Sequence, residues 1–247
     1  MSSESRLASC AELFQQQEFE AALTLVDQSL ELYPHHGGLW ELKGLIHRVN
    51  RDFEPSLNAL LKARHSVDLQ PIALQSLRDC YAVRGQFQQS RQAYLLGFDH
   101  PSCSTLQLVS IATGLSYIGE WGLCCFVCDE WTTEAPESAD AWTMLACSKI
   151  HRDDALEEIQ EVVKQACACS VQPQSIKVNV ALLLYQVRNS EDAYVFLDDL
   201  TRHDIISAAD CCYCECLIQS LIEIFQTNAD DLRCEWCRQI LQDGFAE

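Results

Sequence analysis

Turn-forming residues are scarce in this 247-residue chain, with 9 glycines and 6 prolines. That is too few for a fold of short strands and tight turns, or for a long flexible linker. Cations are scarce too: 17 Lys and Arg against 36 Asp and Glu leave a formal net charge of −19. Phosphate recognition needs clustered basic side chains, so nucleic acid and anionic membrane surfaces are not expected partners. The longest apolar stretch, Val180 to Val187, is far too short to span a bilayer. MSSESRLASC at the start lacks the basic and apolar regions of a signal peptide. No glycine-rich phosphate loop, H-E-x-x-H helix or G-x-S-x-G elbow occurs. The seven histidines are scattered, with His35-His36 expected in an exposed loop and His47 expected to be packed. No catalytic residue, cofactor or metal ligand is therefore assigned, and the chain is not expected to be an enzyme.

Cysteine, by contrast, is abundant. Fifteen cysteines without a secretory signal imply a reducing compartment with free thiols, hence a cytoplasmic location. The acidic charge is uneven: residues 1–100 carry 9 basic and 12 acidic groups, residues 101–247 carry 8 and 24. An acidic surface keeps a protein soluble; it also suits a basic segment of a partner docking on the C-terminal half.

A period of 34 residues runs through the chain, starting at positions 3, 37, 71, 105 and 139. From 37 it places Trp40, Gly44, Phe53, Ser56, Leu60 and Ala63. From 71 it places Leu77, Tyr81, Gly85, Phe87, Ser90, Tyr94 and Gly97. From 105 it places Ile111, Ala112, Leu115, Gly119, Trp121, Cys124, Cys128 and Pro136, and from 3 Phe19, Ala22, Val26, Ser29 and Pro34. A unit from 139 opens with Trp142, Leu145 and Ala146. Small residues at the twentieth position let two helix backbones approach; large ones at the fourth and twenty-fourth fill the wedge between units.

With these residues the chain resembles the tetratricopeptide repeat family. The resemblance implies an all-α, right-handed superhelical solenoid of antiparallel helix pairs. About six repeats are expected, near 3–36, 37–70, 71–104, 105–138, 139–173 and 174–203, with divergent capping helices over 204–247 continuous with the array. Beyond 139 the register departs from the family: the turn at His151 to Asp154 reads as shortened, with Ala155 at the twentieth position. A helix is expected across 175–188, then Ser190 as an N-cap. One long helix over about 205–225 and a last one over about 229–242, capped by Thr227 or Asn228, complete the reading.

Two sulfur-rich stretches pose an alternative. In GEWGLCCFVCDEW, residues 119 to 131, Cys124 and Cys128 take core positions and only Cys125 lies off the buried stripe. A reactive thiolate needs an electropositive neighbour, and this stretch has only Glu120, Asp129 and Glu130. Packing is the expectation. In CCYCEC (211–216) and CEWC (234–237), Cys212 pairs with Cys216 and Cys234 with Cys237 by helical spacing. Cys212 and Cys234 would then stand roughly 12 Å out of register, against a closed zinc site; a metal-binding or redox-responsive protein remains the alternative from another class.

The family resemblance also implies where a partner binds, along a concave surface lined by the first helix of each pair. The positions carried across are Glu41, Leu45, Arg48 and Val49; Gln75, Asp79, Ala82 and Val83; Val109, Thr113, Ser116 and Tyr117; and Thr143, Cys147 and Ile150. The two-carboxylate clamp of chaperone-binding members is not matched: Leu7, Ala11, Leu42, Ile72 and Ser76, or Glu41, Leu45, Ser76, Leu106 and Ser110, supply no cation. With Arg48 and Asp79 as isolated charges, the groove suits an apolar helix or extended peptide. A protein-interaction scaffold or adaptor is the expected function, with a dedicated chaperone for an exported or aggregation-prone client as the alternative.

Overall fold

The computed structural model describes residues 2–101, 103–212 and 215–243. All fifteen regular elements among them are α-helices. Two compact units emerge, Met1–Glu120 and Trp121–Glu247. The first holds α1 (Ser3–Gln15), α2 (Phe19–Leu32), α3 (Gly37–Val49), α4 (Phe53–Arg64), α5 (Pro71–Val83), α6 (Phe87–Phe98) and α7 (Thr105–Tyr117). Within it α1 packs on α2, α3 on α4 and α5 on α6, while α1, α3, α5 and α7 lie side by side.

A left-handed backbone residue sets this pairing. Gln17, Arg51, Gly85, Gly119 and Asp153 all have positive φ, between 62° and 75°, and each follows the last by 34 residues. Each ends a helix, and at Gln17, Arg51, Gly85 and Asp153 that helix is the first of a packed pair. The next residue's N–H then reaches back five positions: Asp52 N–H donates to the His47 carbonyl (2.8 Å) and Gln86 N–H to the Tyr81 carbonyl (2.9 Å). This is the Schellman closure, and it reverses the chain in three residues. Asp153 shows that the turn after His151 is not shortened, because Asp154 N–H bonds the Lys149 carbonyl over the same span. What differs is the second helix, which starts one residue late. Ala155 is its N-cap, not a twentieth-position residue, and fully buried Ile159 takes that role.

Close approach between paired helices rests on the eighth and twentieth positions. A Cβ on Gly44 would stand 2.6 Å from Leu60 Cγ and 3.3 Å from the Leu60 backbone nitrogen. Ser56 donates its hydroxyl to the Gly44 carbonyl at 2.8 Å, and Ser90 donates to the Arg78 carbonyl at 3.0 Å. Both hydroxyls are buried and satisfied, so polarity costs little there. His36 caps α3, its Nδ1 accepting from Leu39 N–H, so it is less exposed than its loop position suggested. The Trp40 indole donates to the Pro34 carbonyl at 2.7 Å, and 102 residues later Trp142 donates to the Pro136 carbonyl at 2.8 Å.

The second unit holds α8 (Trp121–Glu134), α9 (Ala139–His151), α10 (Leu156–Cys169), α11 (Pro173–Val187), α12 (Ser190–Tyr194), α13 (Arg202–Cys212), α14 (Glu215–Thr227) and α15 (Asp231–Asp243). Asn189, not Ser190, caps α12: its side chain accepts from Asp192 N–H at 2.7 Å while Ser190 is buried inside the helix. In the helix expected over about 205–225, α13 and α14 stand on either side of 213–214, which lie outside the described residues. Asp230, not Thr227 or Asn228, caps α15, because Ala229 takes the left-handed turn and delays the start. Largely buried Arg188 ties two turns together, donating to the Asp154 carbonyl at 2.7 Å and pairing with Asp153 at 3.2 Å.

Asp230 accepts from Arg233 N–H, from the Arg233 guanidinium at 2.6 Å and from the Tyr194 hydroxyl at 3.0 Å. Burial pushes its carboxyl up, but these three donors outweigh it and hold the pKa below the ordinary value.

Two consequences are measurable. Gly44→Leu installs a better helix former yet overpacks Leu60, and should lower stability by about 1–3 kcal/mol; an unchanged thermal midpoint would contradict the close approach. Asp230→Ala should cost about 1–3 kcal/mol at neutral pH. Because the folded pKa is depressed, the wild-type advantage should hold from neutral pH to about 3.9 and vanish below it. An advantage that grows on acidification in urea titrations would reverse the assignment.

Candidate functional site

The first unit carries a cleft of about 810 Å³ over α5 and α7. Its shape follows from the repeat: first helices of successive pairs stand next to one another, and residues at equivalent positions line up across them. Ile72 and Leu106 stand near one end, Val83 and Tyr117 near the other, all four strongly exposed. Gln75, Asp79, Ser110 and Thr113 lie between, with Arg48 reaching in from α3.

Of the residues expected to bind a partner, Arg48, Gln75, Asp79, Val109, Thr113 and Tyr117 line this cleft together, with Ala82 and Val83. Leu45 and Val49 line a smaller adjoining hollow of about 190 Å³ with Phe14. Glu41 lines neither hollow. Its carboxylate accepts from Gln70 N–H at 2.8 Å, just before α5, and burial raises its pKa. Thr143 and Cys147 belong to α9 of the second unit, and the cleft's lining residues all come from the first. Thr143 bonds the Ala139 carbonyl, and burial pushes the Cys147 thiol up to about 11.

Arg48 and Asp79 are not isolated charges: an Arg48 NH2 group donates to Asp79 Oδ2 at 2.8 Å. Beneath them lies a residue the repeat pattern hid. Arg78 occupies the eighth position, where other units carry Cys10, Gly44, Ala112 and Ala146. Its side chain is 4% exposed and its guanidinium lies 4.8 Å over the Tyr94 ring. It donates to the Ser110 hydroxyl, and its Nε stands 3.8 Å from Asp79 Oδ1. Tyr94 is held from the other side, since a Cβ on Gly114 would fall 1.8 Å from its hydroxyl. An arginine where small residues recur was the available signal for this cationic floor.

The sulfur-rich stretch over residues 119 to 131 resolves as packing. Cys124, Cys125, Cys128 and Trp131 are all buried, and Trp121 stacks on His151 with centroids 3.8 Å apart. Cys125 thus joins the core it was expected to leave. α9 and its turn bring Lys149 and Arg152 beside it, the cations missing from the local sequence. Burial, aided by Asp129, outweighs both and holds its thiol above the ordinary value. The Cys128 thiol is pushed up by its hydrogen bond to Cys124 and by burial. Cys234 and Cys237 are buried, Cys237 pushed up to about 12 by burial, while Cys216 is exposed. The side chains of Cys211, Cys212 and Cys214 lie outside the described residues. Among the described residues no group of three metal-binding side chains converges.

No family model matches the chain, and no curated protein matches it in sequence. Solved structures do match. YrrB, described as a TPR protein with an unusual peptide-binding site, aligns at a TM-score of 0.58 and 16% identity, over 67% of this chain and 84% of its own. The C-terminal part of a TPR repeat-containing protein from Cytophaga hutchinsonii aligns at 0.65 and 10% identity, over 94% and 92%. A Naa15/Naa10 structure bound to HypK-THB aligns at 0.62 and 13%, over 98% of this chain and 37% of that one.

Site-resolved alkylation of the folded protein checks the thiol assignments. Among the described cysteines Cys216 should react first, and Cys124, Cys125 and Cys128 only on unfolding; rapid native labelling of Cys125 would mark it as an activated thiolate. With the helix pairing above, the structural likenesses show that this chain has the tetratricopeptide-type helical-repeat fold.

Proposed function

We propose that the protein is a cytoplasmic, non-catalytic interaction scaffold that holds a peptide or helix of a protein partner in the α5–α7 cleft. One observation carries this reading. Ile72, Val83, Leu106 and Tyr117, between 57% and 78% exposed, gather around one concavity instead of scattering over the surface. Large exposed apolar side chains gathered in this way mark interaction sites. A rigid wall made of two helices also loses little entropy on binding. Similarity to YrrB, whose description names a peptide-binding site, agrees with this use of the fold. The acidic excess of residues 101–247 offers a second surface, suited to a basic segment of a partner.

Thr113 is exposed in the middle of the α7 wall, its hydroxyl turned back to the Val109 carbonyl. Thr113→Arg should fill the cleft while changing stability by no more than about 0.5 kcal/mol. Affinity capture from native extract should then lose the partner that wild type retains. Equal capture by both proteins would remove the cleft from the account.

A further inference from the structure

The net charge of −19 argues for a basic partner everywhere on this molecule, and the cleft is where that argument fails. Its lining contains one carboxylate, Asp79, and one guanidinium, Arg48. Arg78 lies directly below, joined to the lining by Ser110 and Tyr94. Two guanidiniums therefore face one carboxylate, a local excess of positive charge in a strongly acidic protein.

That excess is incompletely satisfied. Nε of Arg48 and Nε of Arg78 are both buried with no hydrogen-bond partner. Asp79 divides its two oxygens between them, at 2.8 Å from Arg48 and a loose 3.8 Å from Arg78. Burying a second cation beside one anion is costly unless another anion arrives. Ser110 accepts from Arg78 and keeps its own proton to donate. The Gln75 amide, on the α5 side of the cleft, adds two more donors.

We infer that the cleft binds a segment carrying one internal Asp or Glu side chain between apolar residues, its carboxylate seated on Arg48 and Ser110 above Arg78. This rests on the cleft being the binding site. Ile72 and Val83, like Leu106 and Tyr117, are eleven residues apart on their helices, about 16 Å by helical rise. Apolar anchors therefore flank the cationic centre at both ends. A segment matching this pattern places its acid midway, whether helical or extended.

The test uses displayed random 12-residue peptides, one library with the C-terminus fused and one with it free. The best binders are then measured by fluorescence anisotropy against wild type, Arg48→Gln, Asp79→Asn and Thr113→Arg, each checked by thermal melt. Fused-end peptides should be selected with an Asp or Glu flanked by apolar residues. Changing that acid to its amide should weaken wild-type binding about tenfold or more, and should matter much less for Arg48→Gln. Asp79→Asn should tighten the acidic peptide, because it frees both guanidiniums; a cation-reading groove would show the opposite sign. Selection of Lys- or Arg-centred peptides, selection only with free C-termini, or indifference to the acid-to-amide change would overturn the inference while leaving the cleft as the site. Peptides that bind Thr113→Arg as well as wild type, or no selection at all, would remove the cleft itself.

Discussion

The left-handed residue that ends the first helix of each pair is the constraint on which the rest depends. It recurs at Gln17, Arg51, Gly85, Gly119 and Asp153, and within each unit it turns the chain back in three or four residues. That reversal puts helices close enough for the Gly44–Leu60 approach and for the serine-to-carbonyl bonds of Ser56 and Ser90. Only two of the five are glycine. The others hold a conformation that costs an L-residue roughly 1–2 kcal/mol, supported by the carbonyl bonds the turn creates.

From this turn the site follows geometrically. A fixed reversal returns every second helix of the first unit to the same face, so α3, α5 and α7 present equivalent positions to one concavity. The second and thirteenth positions become its apolar ends. The eighth, elsewhere small, becomes its cationic floor because Arg78 replaces a small residue there. Tyr94 and Gly114 accommodate the substitution: the ring provides a face for the guanidinium, and the missing side chain at Gly114 provides room for the ring.

Much of this was legible in the sequence. The 34-residue spacing of Trp40, Gly44, Ser56, Phe87, Ser90 and Tyr94 identified the helix pairs, and carrying positions across located Arg48, Gln75, Asp79, Val109, Thr113 and Tyr117 on one cleft. The turns at Gln17, Arg51 and Asp153 were not legible, because tertiary support let non-glycine residues take a glycine conformation. Caps at Asn189 and Asp230 were missed by one to three residues, since which polar side chain caps depends on where the preceding turn ends. Glu41 stands outside the cleft lining, its carboxylate meeting the Gln70 amide, a contact that repeat position does not encode. The Arg48–Asp79 pair spans 31 residues, beyond the reach of local pattern.

The function proposed from this geometry is recognition. The described thiols of the sulfur-rich α8 are buried and packed, while the cleft gathers exposed apolar side chains around an unevenly charged centre. Hydrogen–deuterium exchange, with and without a saturating cleft-selected peptide, tests this most directly. The account predicts slowed exchange concentrated over 71–83 and 105–117, where the two walls stand. Slowed exchange confined to residues 121–243, with those walls unchanged, would contradict it.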